Sequence, residues 1–251
     1  RDTMVTAERR HLRLVLPALA LLLAGCASLQ PDAGFDGVRE ASQRLVGANP
    51  VWPRDDAARQ DAERELARLL GQPLSMDAAV RVALLNNRHL QADFEALGIA
   101  DAERVQALQW PNPGLSLGRS RRGDEVEIER GLHLNIGRLL ALPLIREVES
   151  RRFARAQGQA ALRVLQLVAD TRKAWVRAVA ARQGVHYAHQ VMEAAEASAE
   201  LARRMAAVGN FNKLQLAREQ AFHADAALAL ARAGQAERSS RERLARLLGL
   251  W

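Results

Sequence analysis

Several things are scarce in this chain of 251 residues, and each shortage closes off a class of function. A single cysteine, Cys26, stands without the paired cysteines and histidines of a zinc signature. Aromatic residues make up 4% of the chain, while alanine, leucine, arginine and glutamate dominate. That mixture excludes a bulky aromatic core and favours long helices packed through small residues. Lysine occurs only at Lys173 and Lys213, so the net charge of +7 is carried by arginine. With no basic patch interleaved with aromatics, this charge reads as the codon usage of a GC-rich genome rather than a nucleic-acid footprint. No glycine-rich phosphate loop and no Gly-x-Ser-x-Gly elbow is present, which argues against an enzyme. Proline is absent beyond Pro143, so no proline interrupts a helix over the rest of the chain.

The one long aliphatic run lies near the start. Arg9, Arg10 and Arg13 precede Leu14 to Leu23, and Leu23-Ala24-Gly25-Cys26 follows. The run is shorter than the roughly 20 apolar residues of a membrane-spanning helix. A basic region, a short apolar region and small residues before a cut site are the parts of a secretory signal, here residues 1–25. Met4 reads as the true start. The run ending at Cys26 resembles a bacterial lipobox. That resemblance implies that Cys26 begins the mature chain and carries lipid on its sulfur and on its new amino group. Ala27 in the next position implies the outer membrane. No cofactor other than this covalent lipid is expected.

Residues 26–74 read as a tether with a short helix. Pro31, Gly34, Gly37, Gly47, Pro50 and Pro53 mark residues 27–56 as extended, and Asp55 to Leu70 is a charged amphipathic helix stopped by Gly71 and Pro73. Ser75 then caps a helix over 75–109, with Val80, Leu84, Leu90, Phe94 and Leu97 as its apolar stripe. Trp110-Pro111-Asn112-Pro113-Gly114 ends it, because two prolines and a glycine cannot continue a helix. Residues 114–137 read as a β-hairpin. Leu115 and Leu117 alternate with Ser116 and Gly118. After a charged turn at Arg121 to Glu125, Val126, Ile128, Leu132, Leu134 and Ile136 share one face. Glu127, Glu129, His133 and Asn135 share the other, and Arg130 alone breaks the alternation. Eleven residues of that pattern suit one strand of a transmembrane barrel; a surface hairpin on a helical domain is the other reading.

From Leu144 to about Val208 every turn is compatible with helix, with Leu162, Leu165, Val168, Arg172, Val176 and Val179 at heptad-like spacing. At about 1.5 Å per residue such a helix spans roughly 100 Å, and one so long must lie against others. Gly209-Asn210-Phe211-Asn212 interrupts it. A return helix over 213–248 follows with Asn212 as its cap and Ala217, Ala221, Ala224, Leu228 and Ala231 as its seam. The expected fold is mainly α: a long antiparallel helical hairpin, coiled-coil in character, with a small β-hairpin suited to a transmembrane barrel.

Taken in order, the first helix, the Trp-Pro-Asn-Pro run, the hairpin, Pro143, the very long helix, the Gly209-Asn210-Phe211 turn, Leu214 to Gln220, and the closing Leu247-Leu248-Gly249-Leu250 resemble one repeat of the TolC-like outer-membrane efflux family. The match spans residues 75–250, and Ser75 to Ala79 with Ala83 to Asn87 look like that family's first-helix opening. Family members carry two such repeats per protomer, and three protomers form a twelve-stranded barrel on a helical tunnel through the periplasm. The resemblance implies a passive outer-membrane conduit that receives substrate from an inner-membrane pump and a periplasmic adaptor protein. Val208, Gly209, Asn210, Phe211 and Lys213 then stand at the tunnel's periplasmic tip, where an adaptor docks, and Val126, Ile128, Leu132, Leu134 and Ile136 in the barrel. Lys213 takes a position where members often place an acidic residue that holds the closed tip. A solvated side chain is the other reading of Lys213, and Arg218 and Glu219 read either as an intra-hairpin or intersubunit ion pair or as a solvated face. The sequence stops at Trp251, where a first repeat would end, so a partial gene product is expected; six copies would otherwise be needed for twelve strands. His186 and His189 with Glu193 read as exposed helix residues rather than a metal site. An adaptor-like coiled-coil scaffold lipoprotein is the alternative, and the alternation over 114–137 favours the channel.

Overall fold

The computed structural model describes residue 29 and residues 31–251. Cys26 and the signal region 1–25 lie outside the described residues. The elements in chain order are α1 (Phe35–Val46), α2 (Asp56–Leu70), α3 (Met76–Asn86), α4 (Arg88–Ala107), β1 (Gly114–Arg122), β2 (Glu125–His133), α5 (Ile136–Ala207) and α6 (Lys213–Leu247). They fall into two compact units, one of residues up to Gly37 with Glu95–Gln159, the other of Val38–Phe94 with Ala160–Trp251.

In the first unit, Gly34 sits at φ +75° against the α5 residue Phe153, where an added Cβ would lie 2.5 Å from the ring. The Gln157 side chain donates to the Gly34 carbonyl at 2.8 Å. Asp101 is fully buried and accepts from the Arg104 guanidinium at 2.6 Å, and that guanidinium stacks 5.0 Å from the Phe153 ring. The buried charge is thus paired and the cation also covers an aromatic face, which is what makes its burial tolerable. Arg138 donates to the Ala107 carbonyl at 3.1 Å across the base of the hairpin.

The second unit has its core around Leu69, Ala79, Val82, Ala83 and Leu248, with Leu66, Leu74, Leu167, Trp175 and Leu244 packed against it. Trp175 Nε1 donates to the Leu74 carbonyl at 2.9 Å, so its one polar atom is satisfied. The end of α6 is fastened to the α3–α4 junction. Asn86 Nδ2 donates to the carbonyls of Leu248 and Gly249, and Asn87 Nδ2 to that of Leu247, each at 2.9 Å. Helix ends leave carbonyls without intrahelical partners, and two side-chain amides supply them here.

Four sequence expectations change. Residues 27–56 are not extended throughout, since α1 forms there with Phe35 and Val38 buried. Asp32 caps its start, donated to by the Asp36 amide at 2.8 Å, and Gly47 at φ +65° ends it; the glycines punctuate a helix rather than prevent one. The helix expected over 75–109 is two, because Asn87 leaves helical geometry at ψ 110° and caps α4 through Leu90 N–H at 3.0 Å. The β2 strand stops at His133, so Leu134 and Ile136 are not strand residues: Leu134 follows the strand and Ile136 opens α5. Asn135 is the cause, since its side chain accepts from Arg138 N–H at 2.9 Å and starts the helix, which then runs through Pro143 instead of beginning after it. The alternation through Ile136 was a coincidence of spacing.

The seam of α6 is displaced as well. Ala217, Ala221, Ala224, Leu228 and Ala231 are exposed, while Ala226 is buried and Leu216 and Leu230 half-buried. On α5, Val168 is buried but Leu162, Val176 and Val179 are exposed; the inner side is built from Val164, Thr171, Ala174, Ala188, Ala195, Ala199 and Ala202. A helix rich in alanine is apolar on more than one side, so periodicity alone does not say which side meets its neighbour.

Candidate functional site

Two surfaces carry the candidate residues, one in each unit. The first is the hairpin. β1 and β2 pair antiparallel from Gly114 opposite His133 to Arg122 opposite Glu125, joined by the two-residue turn Gly123-Asp124. Gly123 supplies φ +63° at the first central position, as such turns require. Because side chains alternate, Leu115, Leu117, Val126, Ile128 and Leu132 share one face. All five are exposed, Leu132 to 75% and Leu115 to 73%. Glu125, Glu127, Glu129 and His133 share the other face with Gly114, Ser116, Gly118, Ser120 and Arg122. The register adds what the sequence reading missed: Arg119 and Arg121 join Arg130 on the apolar face. Their even spacing from Leu117, two and four residues, was the available signal.

The second surface is the α5–α6 turn. Gly209 at φ +82° ends α5, its N–H donating to the Ala206 carbonyl at 3.1 Å while Asn210 N–H reaches the Met205 carbonyl at 2.9 Å. This pair of bonds closes the last turn of a helix on a left-handed residue. Asn212 then caps α6: Gln215 N–H donates to Asn212 Oδ1, and Asn212 N–H to Gln215 Oε1, both at 2.9 Å. The turn is therefore held from both sides. Val208, Gly209, Asn210 and Lys213 are exposed and Phe211 is half-buried. Glu219 accepts from Ser198 Oγ at 2.7 Å across the helical hairpin, while Arg218 is exposed. Nearby, the guanidinium groups of Arg204 and then Arg203 hold the Glu200 carboxyl below its ordinary value. Asn212→Ala is expected to cost about 1 kcal/mol by removing half of the capping box, seen as faster amide exchange over residues 213–216. Unchanged protection there would show that the turn does not depend on this cap.

Among the described residues no group of three or more His, Cys, Asp or Glu is placed to hold a metal. His189 Nδ1 lies 3.1 Å from Glu193 Oε1 on the exposed side of α5, and His186 is exposed one turn earlier. No helix among the described residues is long and apolar enough to cross a membrane. The arrangement offers surfaces: a two-faced strand pair and a rigid loop.

No protein-family model and no curated protein sequence matches the chain. Three solved structures share its fold. A membrane protein from Pseudomonas aeruginosa is 20% identical with a TM-score of 0.57, covering 74% of this chain and 44% of that one. CusC, a protein whose conformational changes accompany folding and transmembrane channel formation, is 17% identical with a TM-score of 0.61, covering 70% and 44%. The CmeC outer membrane channel of Campylobacter jejuni is 16% identical with a TM-score of 0.58, covering 84% and 46%. The chain thus spans less than half the length of each of these structures. Its fold, two long antiparallel helices with a β-hairpin between the shorter helices and α5, is that of one half of a TolC-like outer-membrane channel protomer.

Proposed function

We propose that this chain is a component of an outer-membrane channel for passive export, working with a periplasmic adaptor and an inner-membrane pump. One observation carries the reading: a strand pair between α4 and α5 in the chain, with five exposed apolar side chains on one face and a polar opposite face that holds Glu125, Glu127 and Glu129. A solvated surface hairpin would have no use for such a face, whereas a barrel wall needs apolar side chains toward lipid and polar ones toward the lumen. The likeness of fold to CusC and CmeC supports the same reading. Exposed Leu162, Val176, Leu201, Leu214, Phe222 and Leu228 on α5 and α6 fit helices that expect neighbours in a larger assembly, the trimer of the family resemblance. In this reading Cys26 carries the lipid anchor, the helices stand in the periplasm, and the Val208 to Lys213 turn meets the adaptor.

Membrane fractionation of cells expressing the chain tests the proposal, with native electrophoresis of the detergent extract and conductance of the purified species in a planar bilayer. Recovery in the outer membrane with single-channel steps is the expected result. A soluble periplasmic monomer would overturn it and favour a scaffold.

A further inference from the structure

We propose that the apolar face of the β1–β2 hairpin carries a binding site for an anionic phospholipid headgroup, formed by Arg119, Arg121 and Arg130. The proposal rests on the membrane reading above. Arg121 stands opposite Val126, Arg119 opposite Ile128 and Arg130 opposite Leu117, all on one face. Arg119 and Arg121 are two residues apart along β1, about 7 Å. Arg119 and Arg130 are diagonal neighbours across the ladder, roughly 7–8 Å apart and within reach of long side chains. Toward the base of the hairpin the same face holds Leu115, Leu117 and Leu132. The three arginines are exposed, and among the described residues none forms an ion pair with a carboxylate. Arg121 donates Nε to the Gly123 carbonyl at 3.1 Å, and its terminal nitrogens have no partner among the described residues. The acids of the strands, Glu125, Glu127 and Glu129, all lie on the opposite face, and the turn residue Asp124 forms no ion pair with the three arginines among the described residues.

The sheet therefore segregates charge. Three cations without counter-charge crowd the turn end and middle of an apolar face, while every carboxylate of the strands is turned away. The high arginine content of the whole chain explains the residue type but not this placement. On the lipid side of a barrel strand a cation is tolerated chiefly near the membrane interface, where phosphates lie. A guanidinium binds phosphate through paired N–H donors. A free anion would satisfy the arginines alone. An amphiphile satisfies both halves of the face, its phosphate on Arg119, Arg121 and Arg130 and its acyl chains on the leucines.

The chain extracted from membranes in neutral detergent, mixed with equal phosphatidylglycerol and phosphatidylcholine, is read by native mass spectrometry. Wild type is expected to retain phosphatidylglycerol preferentially. With about fivefold for each arginine near an anionic surface, R119Q/R121Q/R130Q should lose roughly a hundredfold of that preference. R122Q removes one charge from the opposite face beside Arg121 and should leave the preference in place. R119K/R121K/R130K should keep most of it, which separates loss of charge from loss of fold. An equal loss in R122Q, or none in the triple glutamine variant, would overturn the site, as would displacement of the lipid by millimolar inorganic phosphate. A chain absent from the membrane fraction would overturn the channel reading and this proposal together. A membrane-extracted chain with no lipid preference would overturn this proposal alone.

Discussion

Gly249→Ala is expected to release the end of α6 and to destabilise the second unit by about 2–5 kcal/mol. Gly249 holds φ +72°, a left-handed conformation that costs other residues about 1–2 kcal/mol. Its backbone also lies against the α3–α4 junction: an added Cβ would overlap the Asn86 carbonyl oxygen and stand 2.9 Å from the carbonyl carbon. The obstacle is backbone, which cannot swing aside as a side-chain tip would. Relieving the clash would pull Leu248 and Gly249 away from the Asn86 amide that bonds both carbonyls, and Leu248 out of the core. Denaturant unfolding in detergent, followed by Trp175 and Trp251 fluorescence, measures the effect. Gly184→Ala is the matched control, because that glycine lies within α5 with nothing within 4 Å of the new methyl. It should stabilise by up to about 1 kcal/mol through helix propensity. If the two variants unfold alike, the C-terminal turn is not a fixed point of the structure.

Phe94→Ala is expected to cost about 3–5 kcal/mol, the usual range for emptying a buried phenylalanine site. Phe94 is fully buried, and its ring centroid lies 6.2 Å from that of Trp52 at a 46° tilt. The one large ring at its side, Trp52, packs against Phe94 at a tilt and would have to leave its own place to fill the space. Trp52 belongs to the segment between α1 and α2, which Gln91 also holds through the Val51 carbonyl at 3.1 Å. Loss of the ring should therefore loosen that segment before the helices melt. Denaturation midpoints and proteolysis near residues 47–55 read both effects. An unchanged midpoint would mean that this segment is held by its hydrogen bonds and not by the aromatic contact.

What was legible in the sequence was punctuation. Asn212 announces a cap by residue type and position, and its capping box forms with Gln215. Gly209 and Gly123 stand where a turn needs positive φ. Val80, Leu84, Leu90, Phe94 and Leu97 all prove buried, although α3 also buries Ala79, Val82 and Ala83, which the single stripe did not include. Asn135 was less legible, since it sits in a run whose alternation reads equally as strand. Its side chain decided for helix by offering an acceptor to Arg138 N–H. Asn87 acted the same way between α3 and α4. The inner side of α6 could not be read, because alanine occupies both candidate seams.

By itself the sequence determined the order of elements from α2 onward apart from the α3–α4 break, and the turns at Gly123 and Gly209, since capping side chains, prolines and positive-φ glycines act within a few residues of where they stand. The tertiary structure alone decided which side of each long helix is inner and that the strand register puts Arg119, Arg121 and Arg130 on one face. Those outcomes depend on partners far along the chain, and alternation of two or a helical period of 3.6 is silent about which partner arrives.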